Sequence, residues 1–166
     1  MAVEDDIRKV SEQEAALILP RFDEGVAFDL GSAIRARGLA EGMPIVIDIR
    51  TWDRPLFYAA LPGSTADNAN WARRKRNVVQ NFLRSTYRLV LELQRPDRTF
   101  KPGAGLDPAD HVLAGGGFPV TVRGAGVVGV IAVSGLPERQ DHAVVVEALC
   151  SYLGHDHGAL ALAAEE

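Results

Sequence analysis

Lys75 falls on a stripe that otherwise reads as the apolar face of a helix. Trp71, Val78, Phe82 and Leu89 recur along that line at steps of four and seven, and Ser85 shares it. A polar group aligned with a core-facing stripe either snorkels to the rim or lines a cavity. A second candidate follows at Ser134-Gly135-Leu136-Pro137, with Asp141-His142 just beyond. This pattern starts a helix, whose unpaired N–H groups suit an anion such as a carboxylate. Lys75 and Asp141 together make an acid/base pair if their side chains share one cavity. His142 lies one helical step from Val145, Val146 and Leu149 and so points inward. An inward histidine is either a satisfied core residue or a ligand for a metal or haem.

Gly115-Gly116-Gly117-Phe118-Pro119 is the third feature. Three glycines remove every Cβ from a short segment, which permits positive φ and close approach to backbone N–H groups. Ligand contact and pure turn or bulge geometry both explain such a cluster. It is not a nucleotide phosphate loop, because no Gly-Lys-Ser/Thr end follows and the last lysine is Lys101. Nor is it a dinucleotide fingerprint, which needs a strand before the glycines and a helix after them. Asp48 and Arg50 share a strand face, with Asp53 and Arg54 in the next turn. These are surface ion pairs, or Arg50 or Arg54 holds an anionic group in the same pocket.

Other chemistries are poorly supplied. Ser134 is not in a Gly-x-Ser-x-Gly frame. Cys150 sits among Val144, Val145, Val146, Leu149 and Leu153 and reads as a small buried hydrophobe rather than a nucleophile. His111, His142, His155 and His157 have no thiol or carboxylate set at structural zinc spacing, so no metal site is expected.

The elements that must position these groups follow from periodicity. Residues 5–19 form a modest amphipathic helix stopped by Pro20. A second helix runs from Glu24, capped by Asp23, to Gly38. Ile45, Ile47 and Ile49 then alternate with polar or smaller residues, and Pro55–Leu61 returns after a turn at 51–54, giving a hairpin. Ser64 or Thr65 caps a single long helix over about 67–93. The Pro- and Gly-rich stretch 95–113 is a loop. Seven of the 16 glycines lie between Gly115 and Gly135. There an edge-like strand over 118–123 turns into a doubly covered one over 127–134. A helix from Pro137 to Leu153 and a frayed tail over 154–166 complete the chain. The order predicts an α+β fold: an antiparallel sheet with helices packed on it. The 127–134 strand pairs with the 45–50 strand, giving four strands the spatial order 2-1-4-3, and an extra short strand lies near His111.

Composition bounds the rest. A chain of 166 residues with 47% hydrophobic and 24% charged residues is one globular domain, with its core over about 20–153. A net charge of −4 disfavours nucleic acid and anionic membranes as partners. The basic run Arg73–Arg76 fans around its helix as a solvated face. A single cysteine and an acidic, non-signal N-terminus make the cytoplasm the expected compartment.

Several blocks together resemble the haem-degrading, GlcG/HbpS-like family. They are Gly-Gly-Gly-Phe-Pro-Val at 115–120, the 126–137 strand ending Ser-Gly-Leu-Pro, and Asp141-His142. The Ile45–Arg50 strand, Ala-Leu-Pro-Gly at 60–63 and Trp-Ala-Arg-Arg-Lys-Arg at 71–76 add to them. They are most similar to the family's small cytosolic branch of bacteria and fungi, over residues 20–153. The resemblance implies profilin-like α-β-α layers, self-assembly into homo-oligomers, and haem or another tetrapyrrole as a ligand in some relatives. Lys75 matches the family's helix lysine, Gly115–Pro119 its glycine loop, and Asp141 the aspartate after Ser-Gly. No residue matches a haem-ligand motif. The expected function is therefore an oligomeric domain binding a tetrapyrrole or small carboxylate, its site drawn from Lys75, Gly115, Gly116, Gly117, Phe118, Ser134, Gly135, Asp141, His142, Arg50 and Arg54. The alternatives are an enzyme using Lys75 and Asp141, and an assembly or adaptor protein without a small ligand.

Overall fold

The computed structural model describes residues 2–165. Helix α1 (Ala2–Ala16) leads into a two-residue strand β1 (Ile18–Leu19), helix α2 (Glu24–Glu41) and the hairpin β2 (Val46–Thr51) and β3 (Pro55–Ala60). Helices α3 (Ala66–Phe82) and α4 (Thr86–Leu93) follow, and a loop leads to β4 (Gly117–Val122) and β5 (Gly126–Ser134). Helices α5 (Glu138–Leu153) and α6 (His157–Leu160) close the described chain.

The strands form one sheet in the order β1-β4-β5-β2-β3. The two hairpins meet as expected, β5 running antiparallel to β2 with Val133 opposite Ile47. The extra strand is not near His111 but at Ile18–Leu19, parallel to the far end of β4. That makes β4 an interior strand rather than an edge. Pro119 is tolerated there because β1 covers only Thr121 and Val122.

Alternation along β2 and β5 sends side chains to both faces. Ile45, Ile47, Ile49, Ile131 and Val133 join Phe118 and Val120 against α2 and α5, which carry Leu30, Ile34, Val145 and Leu149. Val46 and Ala132 face the other way, onto Ala72 of α3. The fold is thus α+β with helices on both faces of a largely antiparallel sheet. The α3 side is lined by small residues, which lets that helix lie close to the strands.

Three elements depart from the sequence reading. The single helix expected over 67–93 breaks: Leu83 adopts a left-handed φ of 57°, and Ser85 caps α4 by accepting from Arg88 N. Glu14 of α1 accepts from Ser85 N at 2.7 Å, so a contact from the far end of the chain fixes the break. Helix α2 runs past Gly38 to a left-handed Gly42, because Gly38 is needed where Leu61 and Ile45 pack against the helix. The tail holds α6 against α1 through Gln13 Nε2 donating to Leu160 O (2.8 Å) and Lys9 Nζ to Ala159 O (3.1 Å).

Candidate functional site

Thr65 and Asn68 form a capping box that starts α3. The buried face of that helix carries Ala72, Lys75, Val78 and Val79 onto the sheet. Lys75 reaches the end of β5, where Nζ donates to Val133 O at 3.0 Å and to Asp141 Oδ2 at 3.1 Å. Asp141 comes from the other face of the sheet, in the first turn of α5. Its second oxygen, Oδ1, accepts from Leu136 N at 3.0 Å. Both side chains are almost fully buried. Burial pushes the Asp141 pKa up to about 6, against the pull of the Lys75 ammonium and the backbone donors. Burial also pushes the lysine down, more strongly than Asp141 raises it. The two affinities for a proton converge, as an acid/base pair requires.

The glycine turn lies directly behind this pair. A Cβ on Gly116, whose φ is +129°, would stand 2.3 Å from Val133 O and 2.9 Å from Lys75 Nζ. One on Gly115 would meet Glu138 O at 2.7 Å. Gly117 N donates to Thr86 Oγ1 at 3.0 Å. These glycines admit the lysine and the α5 turn. Just before them, the buried Leu113 and Ala114 form part of the floor of a neighbouring space.

That space is a cleft of about 450 Å³ with Lys75, Asp141, Ser134 and Gly135 in its wall and Trp71, Arg98 and Glu138 around it. Arg98 pairs with Glu138 at 2.6 Å, so the four charged side chains of the lining form two opposite-charge pairs. Trp71 is one turn before Lys75 on α3. Its Nε1 donates to Asp67 (3.2 Å), and the Arg74 guanidinium lies 5.1 Å from its ring centre. The Trp71–Lys75 spacing was visible in the sequence as a core stripe. Arg98 and Glu138 were not singled out, because 40 residues separate them and only the fold of the loop joins them.

Arg50 and Arg54 lie elsewhere. Arg50 and Arg76 converge on the buried Asp48 at 3.1 and 2.9 Å, and Arg54 pairs with Glu24 at the surface. Neither arginine lines the cleft.

His142, next to Asp141, points to a different place. It is buried, with Tyr87 and Phe118 rings at 5.3 and 5.8 Å, and lines a second cavity of about 500 Å³ between α5 and residues 161–165. Its Nε2 is 2.7 Å from Gln13 Oε1. Gln13 Nε2 is committed to Leu160 O, so Oε1 is an acceptor and His142 Nε2 must carry the proton. Nδ1 is then a bare acceptor, and it has no hydrogen-bond partner among the described residues. Burial, helped by Arg139, holds the His142 pKa down at about 3, so the ring is neutral. Among the described residues no group of three or more His, Cys, Asp or Glu could hold a metal ion, and no helix is long and apolar enough to cross a membrane.

The chain is similar to several known proteins. The family model described as "Haem degrading protein HbpS-like" matches residues 22–150. The UPF0303 protein mlr5144 of Mesorhizobium japonicum is 69% identical over 165 residues, covering 99% of each chain. The crystal structure of Ybr137w protein superposes with a TM-score of 0.79 at 25% identity, over 89% of this chain and 87% of that one. The structure of a PduOC:Heme complex shares the fold, with a TM-score of 0.63 at 17% identity, over 81% of this chain and 95% of that one.

The His142 environment predicts an acid-sensitive fold. A histidine held neutral contributes stability that is complete above its unfolded value of 6.5 and is lost as pH falls towards about 3. Asp141 acts in the opposite sense, its contribution present below 3.8 and lost as pH rises through about 6. We expect a His142→Leu/Gln13→Leu protein, which leaves no orphaned amide oxygen, to lose less stability than the parent between pH 6.5 and 4. Urea midpoints across that range measure it, and parallel curves for the two proteins would refute it.

Proposed function

The chain belongs to the HbpS-like family of haem-degrading proteins, and from that premise we propose that it is a self-associating domain that binds a small molecule in the cleft above Lys75 and Asp141. The observation that carries this reading is the buried lysine–carboxylate pair opening onto a cleft. A buried ion pair is a poor device for stability, since apolar residues of similar volume are often as good or better. Its placement against a cavity of ligand size gives it a use. Because the lining charges pair off, the ligand class supported best is a small polar molecule, with a carboxylate recognised by local donors rather than by a net positive field.

A second reading, a tetrapyrrole ligand, rests on the family's description, on the haem bound by the PduOC neighbour, and on His142. Haem iron takes an axial histidine, thiolate, methionine or tyrosine ligand. The side chains lining the cleft include none of these. The second cavity fits better: the neutral ring of His142 offers Nδ1, and Ala143, Val146 and Leu162 supply apolar wall. His142 would hold the iron there, with Gln13 fixing the tautomer from behind. The group would bring a redox-active iron.

The chain has two tryptophans, so Trp52→Phe leaves Trp71 at the cleft as the sole indole reporter. Benzoate and benzamide should change its emission saturably, and failure of both would remove the cleft reading for this ligand class. Hemin should give a saturable Soret shift that His142→Ala abolishes. No shift, or one indifferent to that substitution, would remove ligation by His142.

Self-association is supported by the free edge of the sheet. Among the described residues, strand β3 has no partner on its outer side. Tyr58 is 51% exposed on it, and Phe28, 61% exposed on α2, stacks edge-on against Phe57. An uncharged apolar edge is a template for a second copy. Light scattering after gel filtration should give a multiple of 17.9 kDa, reduced by Phe28→Glu with Tyr58→Lys. A parent protein of one chain mass would contradict it.

A further inference from the structure

Lys75 is more than a hydrogen-bond donor to whatever occupies the cleft. We propose that its Nζ condenses with the carbonyl carbon of a small neutral aldehyde or ketone held there, forming an imine, with Asp141 as the proton shuttle. The proposal rests on the reading that the cleft binds a small molecule, and it names the class.

Four observations carry it. Nζ has three hydrogens as an ammonium, and Val133 O and Asp141 Oδ2 engage two of them, both within the protein. Transfer of a proton to Asp141 across 3.1 Å turns the ammonium into an amine without creating a new charge in the interior. Burial pushes both groups towards that neutral form. Finally, the cleft's remaining charges, Arg98 and Glu138, are paired with each other, so no net positive field is demanded of the ligand and a neutral polarised carbonyl is as well suited as a carboxylate.

The chemistry balances without an oxidant or reductant. The amine lone pair forms the C–N bond as the carbonyl π pair moves to oxygen. That oxygen takes the proton held on Asp141, and the new N–H proton returns to the Asp141 carboxylate. The nitrogen lone pair of the carbinolamine then forms the C=N bond. The hydroxyl departs with the Asp141 proton as water, leaving a protonated imine beside the Asp141 carboxylate. Addition of water reverses each step, so binding is reversible. A lysine desolvated in this way is an activated nucleophile. Asp141 is kept in place by Leu136 N–H on Oδ1, which leaves Oδ2 for the proton traffic.

The chain is well suited to the test, because its lysines are Lys9, Lys75 and Lys101. Lys101 is exposed on the loop and Lys9 pairs with Glu12 at 3.0 Å, so both serve as internal controls. The intact protein is incubated at neutral pH with benzaldehyde, reduced with borohydride, digested and mapped by mass spectrometry. Reductive labelling at Lys75 should exceed that at either control by roughly tenfold or more, since burial lowers its affinity for a proton and Asp141 stands 3.1 Å away to take that proton in a desolvated site. Asp141→Asn should slow labelling at Lys75 while leaving Lys9 and Lys101 unchanged. Labelling that is equal at all three lysines, or absent from Lys75, overturns the inference. Saturable quenching of Trp71 by benzaldehyde in the Trp52→Phe protein then separates the cases. With quenching but no Lys75 adduct, only the imine fails; with neither, the cleft reading fails as well.

Discussion

The contact that holds the architecture of the site together is a single buried lysine bonded to a carboxylate and a strand carbonyl. Lys75 stands on α3, on one face of the sheet, while Asp141 starts α5 on the other. Between them lies Val133 O on β5, where Gly116 O takes the neighbouring Val133 N–H. Three layers therefore converge on one ammonium group. The price is strict local geometry: Gly116 and Gly135 both adopt positive φ where a Cβ would strike backbone oxygen at 2.3 Å. The Gly115–Gly117 run reflects this crowding, while Gly129 and Gly135 yield to backbone of the β2 side and Gly124 and Gly126 serve the turn between β4 and β5.

One turn of α5 feeds two cavities. Consecutive helical residues point about 100° apart, so Asp141 looks into the cleft beneath Trp71 while His142 looks towards the cavity walled by residues 161–165. The two environments shift the neighbours' proton affinities in opposite directions, raising that of the carboxyl and lowering that of the imidazole. Burial causes both, since each group is disfavoured in its charged form. Exposed pairs such as Arg54–Glu24 lie outside this economy and act as ordinary surface contacts.

Much of this was legible from local pattern. The hairpins, the Asp23 cap, the pairing of the two central strands and the inward aim of His142 follow from periodicity and turn chemistry, while the core stripe left Lys75 either at the rim or in a cavity. The missing parts depend on partners remote in sequence. Strand β1 exists only because β4 lies beside it. The break at Ser85 is fixed by Glu14, 71 residues away, although a serine followed by a helical run was itself a cap signal. The tautomer of His142 depends on Gln13 and, through it, on Leu160. Arg98 and Glu138 become a pair only once the 95–113 loop folds back, with Phe100 stacked on Phe82.

The central claim is that Lys75 and Asp141 act as one coupled unit inside the protein, and a double-mutant cycle tests it directly. Urea unfolding of Lys75→Met, Asp141→Asn and the double variant gives the coupling energy. Removing one partner of a buried pair costs about 3–5 kcal/mol, so each single change should be severe. The double should cost less than their sum by about 2 kcal/mol or more. Costs that simply add, within roughly 0.5 kcal/mol, would mean that the two groups do not sense each other, and the account would be wrong.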